Sequence, residues 1–212
     1  MKVPKQVVSC LLILVVLAMQ LMTAGCNAAT DVQKVIDSLP VAADIAESAI
    51  AIYAAFDPSG ADPALAQQVT TITGQVASDL KLLQQLMQQY ANDPNSSSPS
   101  LIKRIDAVVA DVRTNLTSLL NAFHVTNAGT VAAVTIAVTS VEAVLVDLSS
   151  LLTTAQAPNA PHVADLAKSK GIVIGAALPP GQHRNIRTAK AVAQDYNSKL
   201  PQEFQKAKVR VP

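Results

Sequence analysis

The chain has 212 residues, half of them hydrophobic, with three Tyr, three Phe and no Trp. Its apolar content is mainly Ala, Val and Leu. That mixture suits closely packed helices and argues against an aromatic-walled ligand pocket or the stacking platforms of a single-stranded nucleic-acid binder. The formal charge of +1 is unevenly spread: residues 26–157 carry 5 Lys/Arg against 12 Asp/Glu, and residues 158–212 carry 9 against 3.

Lys2 and Lys5 precede an apolar run from Val7 to Met19, after which come Thr23, Ala24, Gly25 and Cys26. Charged, apolar, small is the order of a secretion signal, and the run is shorter than the roughly 20 residues of a comfortable spanning helix. Residues 22–26, MTAGC, resemble the lipobox of bacterial lipoprotein precursors. The resemblance covers the first 26 residues only. It implies that Cys26 receives a diacylglycerol on its thiol, that a peptidase recognising Thr23, Ala24 and Gly25 cleaves before it, and that the new amine is acylated. Thr23 stands where that family usually has Leu. Asn27 stands where enteric bacteria place Asp to retain lipoproteins in the inner membrane, which leans toward the outer membrane. An ordinary cleaved signal, cut near Ala24 or Ala29, and an uncleaved anchor are the competing readings. Cys10 falls inside the signal, so Cys26 has no partner for an internal disulfide.

From Asp31 onward the apolar spacing is helical. Val32, Val35, Leu39, Ala42, Ala46, Ala49, Tyr53 and Phe56 alternate steps of 3 and 4, with Thr30 or Asp31 as cap and Pro40 expected to kink or split the helix. The DPSGADP stretch, residues 57–63, breaks the chain. A second helix is expected from Pro63, capped by Asp62, with the seam Val69, Ile72, Val76, Leu80, Leu83, Met87 and Tyr90. NDPNSSSPS, residues 92–100, reads as a polar loop. The third seam runs Ile102, Ile105, Val109, Val112, Leu116, Leu119 and Phe123 without a miss. Lys103, Arg104, Asp106, Asp111 and Arg113 fall off it, toward water. The fourth runs Val131, Val134, Val138, Val141, Leu145, Leu148 and Leu152. No charge falls in residues 128–141. Burial on several sides of a bundle is the favoured reading of that helix, ahead of a membrane-inserted hairpin arm or a strand. Four such segments of about 25 residues, each roughly 38 Å long, predict an all-α, up-and-down four-helix bundle.

Residues 157–212 change character. A linker-like stretch leads to an apolar run at 171–181, read as a strand or a plug against a bundle end. Asn185 to Leu200 is expected to form a basic helix with Ile186, Ala189, Val192, Ala193 and Tyr196 on one face. The last residues, EFQKAKVRVP, are expected to fray. The chain thus divides into a signal (1–25), a lipidated tether (26–30), a bundle (31–156) and a linker with a basic, partly helical extension (157–212). Arg184, Arg187, Lys190, Lys199, Lys206, Lys208 and Arg210 are the candidate contacts for an anionic partner, such as an envelope protein or polymer. A tail that folds back on the acidic body is the competing reading.

No catalytic constellation emerges. His124, His162 and His183 form no pair at metal-ligand spacing, so no metal site is expected. Ser78/Lys81 and Ser100/Lys103 have an SxxK spacing without the companion elements of a penicillin-binding site. Glu142 is the carboxylate of interest, because it interrupts an otherwise uncharged helix: if buried it would have a raised pKa or a basic partner, and the competing reading is that it faces solvent. The expectation is a non-enzymatic, lipid-anchored envelope protein with no cofactor beyond the lipid on Cys26 and no nucleic-acid partner. The alternative is a carrier holding a lipid or small apolar ligand inside the bundle.

Overall fold

The structure is a computed structural model. It describes residues 5–57, 60, 62–92, 98–123, 126–155 and 185–212, with side chains given for those in 29–152 and 185–212. All regular structure among them is helical: α1 (Lys5–Phe56), α2 (Pro63–Asn92), α3 (Pro99–Phe123), α4 (Ala128–Ala155), α5 (Ala189–Lys199) and a short 3-10 helix, Gln202–Ala207. The linker from 157, the apolar run 171–181, Arg184 and all three histidines lie outside the described residues.

The bundle is all-α and closes as a ring. α1 packs on α2, α2 on α3, α3 on α4 and α4 back on α1. The alternation of up and down follows from the short connections. It places the last turns of α1 and α3 together, where the Tyr53 and Phe123 rings meet edge to face at 6.4 Å. Local chemistry sets the boundaries. Asp62 caps α2 by accepting from the Leu65 N–H at 3.0 Å, with Pro63 at the first helical position. Asn127 caps α4 by accepting from the Thr130 N–H at 2.8 Å. Tyr53 secures the α1–α2 turn by donating to the Asp62 carbonyl at 2.7 Å and the Asp57 carboxylate at 3.0 Å.

The predicted α3 seam is buried at all seven positions, and the α4 seam at six of its seven, with Val131 half-buried. Four expectations are corrected in whole or in part. α1 does not begin at Thr30 or Asp31: it runs from Lys5 through residues 26–30, a stretch with strong helix formers at Ala24, Ala28 and Ala29 and no proline until Pro40. Asp31 instead pairs with Lys34 at 2.7 Å. Pro40 lies inside α1 without splitting it, with its ring on the exposed face. In α2, Thr73 takes the buried position beside a half-buried Ile72, because its hydroxyl donates back to the Val69 carbonyl at 2.8 Å and leaves no unsatisfied polar atom.

The fourth correction is the tail. Residues 202–207 form the 3-10 helix and bury Phe204 and Ala207. The chain end does not fray, because the bundle offers it an apolar groove.

Two helices, Ala29–Phe56 and Ala128–Leu152, are long and apolar enough to cross a membrane, and half or more of each is buried inside the bundle. α4 packs on α1, α3 and α5, as expected of a helix buried on several sides.

Candidate functional site

α1 and α4 each carry two adjacent seams, not one. Beside the Leu39–Tyr53 seam of α1 runs a second: Ser38, Val41, Ile45, Ser48 and Ile52, again in steps of 3 and 4, all buried. In α4 the second seam is Thr130, Ala133, Ala137, Ser140, Val144 and Asp147, also buried. A helix with two seams has a wider apolar face than one contact covers. α5 covers the surplus by packing on both helices, and the 3-10 helix packs on α1. Ile186, Val192, Ala193, Tyr196, Leu200 and Phe204 thereby join the core.

The polar members of these seams fix where the tail sits. Ser38 donates to the Arg187 carbonyl at 3.3 Å, and the Ser48 and Tyr196 hydroxyls share a hydrogen bond. Positions 38 and 48 therefore match 187 and 196, so α5 runs parallel to α1. The Tyr196 side chain is fully buried, and burial pushes its phenol pKa up. Asp147, with a side chain only 7% exposed, accepts from Arg187 Nε at 3.0 Å. Thr188 caps α5, accepting from the Ala191 N–H at 3.2 Å, so the helix starts at Ala189 and residues 185–188 precede it outside the helix. At the far end the Asn197 side chain grips Val209 twice, donating to its carbonyl at 2.9 Å and accepting from its N–H at 3.0 Å.

A second polar pair lies between α3 and α4. Arg113, expected on the water side, is half-buried, and its Nε contacts Glu142 at 3.3 Å. Of the outcomes open for Glu142, the structure shows a basic partner, Arg113. Arg113 Nη2 is buried without a hydrogen-bond partner among the described residues. Sequence reasoning missed the involvement of Arg113 because a side chain one position off a seam reaches either water or the neighbouring helix, depending on the packing. Between α2 and α3, Asn115 donates to Asp79 at 3.1 Å, and burial pushes the Asp79 carboxyl up.

The seven candidate contacts for an anionic partner now separate. Arg187 is occupied by Asp147, and Lys199 pairs with Asp195 at 2.7 Å within its own helix. Lys190, Lys206, Lys208 and Arg210 are exposed, and none forms an ion pair among the described residues. Arg184 lies outside the description, as do the side chains of Thr23, Ala24, Gly25 and Cys26. The basic tail therefore folds onto the bundle and still displays free cations.

Two of the surface hollows lined by described residues bear on a ligand site. One, about 860 Å³, sits at the α2–α3 turn among Gln85, Gln88, Gln89, Asn92, Ser100 and Arg104. The other, about 250 Å³, lies between α1 and the chain end. Both are open to solvent, while the seams between the helices are filled by Leu80, Leu83, Leu116, Leu119, Leu145 and Leu148, at most 1% exposed. Comparison with protein-family models, curated proteins and solved structures gives no match to this chain.

Proposed function

We propose that this protein is a non-enzymatic envelope lipoprotein, anchored by lipid on Cys26, whose helical bundle acts as an interaction module. The anchor places it on the outer side of the cytoplasmic membrane or in the outer membrane. The docked C-terminal segment contacts an anionic partner, an envelope protein or a polymer, through Lys190, Lys206, Lys208 and Arg210. The lipobox-like MTAGC supports the anchor. One observation carries the contact: Asn197 clamps the chain end to α5, which packs on the bundle, yet Lys206, Lys208 and Arg210 are exposed and form no ion pair among the described residues. A tail held only by its charges would have paired those cations with the acidic body. Here apolar burial holds the tail, which leaves the charges available.

Deleting the tail is a poor test, because it removes core residues such as Tyr196 and Phe204. The informative variant is the triple substitution Lys206→Gln, Lys208→Gln, Arg210→Gln, compared with wild type by cross-linking in cells followed by affinity capture. Loss of specific envelope proteins or anionic polymer, with an unchanged thermal unfolding midpoint, is the expected result. Equal recovery with both proteins would rule out these cations as the contact.

A further inference from the structure

The 250 Å³ groove has walls of opposite sign. α1 supplies Asp44 and Glu47, one turn apart, and the chain end supplies Lys206, Lys208 and Arg210. All five side chains are exposed, and among the described residues none of the five forms an ion pair. The floor between them is small and uncharged: Ser48, Ala51, Ala207 and Val209.

Both walls are fixed from behind. Asp44 and Glu47 sit on α1, whose opposite face is core. On the other wall, Ala207 is buried beside Tyr196, which donates to its carbonyl at 3.3 Å, and Val209 is held by Asn197. The backbone of both walls is thus held by the fold, with the two sets of charges unpaired among the described residues.

A polyanion lying along Lys206–Arg210 would also meet Asp44 and Glu47, and a simple cation would meet the lysines. A ligand carrying both signs satisfies both walls. We propose that this groove binds a dipolar ligand of the ω-amino-acid type. Its ammonium faces Asp44 and Glu47, its carboxylate faces Lys206, Lys208 and Arg210, and its short methylene stem lies on Ala51, Ala207 and Val209. The volume admits one group of amino-acid size. The inference rests on reading the chain end as a contact surface, and it adds that the partner's anionic group is accompanied by a nearby ammonium. Such a group is supplied either by a free amino acid or by a short peptide with a free ammonium and carboxylate. Exposed charge contacts are individually weak, so a dissociation constant on the order of 1 mM is expected for a single free ligand.

The test is an NMR titration of the full chain with ω-amino acids of increasing length, from glycine to 6-aminohexanoate. Amide shifts confined to Asp44–Ala51 and Lys206–Arg210, strongest at one length, are expected. Acetate and methylammonium alone should give none. Asp44→Asn with Glu47→Gln should weaken binding about tenfold, and so should the triple glutamine substitution on the opposite wall. Tighter binding of a short peptide than of the free ω-amino acid of equal charge separation assigns a peptide source, and the reverse assigns a free one. If inorganic polyphosphate shifts the cationic wall and binds more tightly to Asp44→Asn, Glu47→Gln protein, the dipolar assignment is overturned while the anionic-partner reading survives. If no probe shifts either wall, the dipolar assignment is overturned, and the anionic-partner reading is decided by the capture experiment with the triple glutamine variant.

Discussion

Arg187 and Asp147 form one ion pair, but their two ends differ in solvent access. The arginine side chain is 31% exposed and the aspartate 7%. Removing Asp147 frees a guanidinium that water can reach, whereas removing Arg187 leaves a buried carboxylate unpaired. Arg187→Ala is therefore expected to cost about 2–3 kcal/mol and Asp147→Ala about 1 kcal/mol in urea unfolding. Equal costs would show that the pair acts only through packing. Arg113 makes the opposite case. Its Nη2 is already buried without a partner among the described residues, and Glu142 is 26% exposed, so Arg113→Met should be neutral within about 1 kcal/mol or stabilising. Asp79 supplies a pH signature. Burial, foremost, raises its pKa above the ordinary 3.8, the Asn115 hydrogen bond opposes that shift, and the Asp111 charge adds to it. A raised carboxyl pKa favours the fold at low pH, and this contribution fades as pH climbs through the folded-state value. Asp79→Asn should then unfold at higher urea than wild type at pH 7, with the gap closing below about pH 4.

At the scale of the element, the helices were legible wherever one face meets one neighbour. α3 is the clearest case, since its seam predicts the buried residues and its charged positions other than Arg113 face water. α1 and α4 were legible only in part, because their second seams contain Ser38, Ser48, Thr130, Ser140 and Asp147. A periodicity search reads such residues as surface. Their burial costs little, because Ser38 and Ser140 donate to carbonyls four residues back at 2.7 and 2.8 Å, and Ser48 donates to the Ile45 carbonyl. The groove for α5 is hidden in the sequence for the same reason, so the chain end reads there as a frayed tail. Pro40 is the helix position with the most to gain. Pro40→Ala restores an N–H inside α1 at an exposed site, so a stabilisation of about 1–2 kcal/mol is expected from the unfolding midpoint, after allowing for the looser unfolded chain. No gain would indicate that α1 is already bent to accommodate the ring.

Over the whole molecule, the C-terminal segment completes the bundle and is not an appendage to it. Tyr196→Ala is expected to destabilise by about 3–5 kcal/mol, the cost of emptying a large buried site, while Tyr196→Phe should cost about 1 kcal/mol for the lost hydroxyl contacts. If Tyr196→Ala unfolds at the wild-type midpoint, the segment does not support the core. The surplus of basic residues was legible from composition, and so was the choice between a partner and the acidic body. What composition cannot give is which cations the fold consumes. Arg187 is taken by Asp147 and Lys199 by Asp195, while Lys206, Lys208 and Arg210 are left outside by a clamp that no charge count reveals. In the proposed function the lipobox resemblance supplies the address, and the bundle supplies the surface presented there. The proposed function joins the two at Cys26. Intact-mass analysis of protein extracted from bacterial membranes tests this directly. A chain that starts at residue 26 and carries a diacylglycerol is the predicted result; an unmodified membrane-bound chain, or one starting at any other residue, would contradict it.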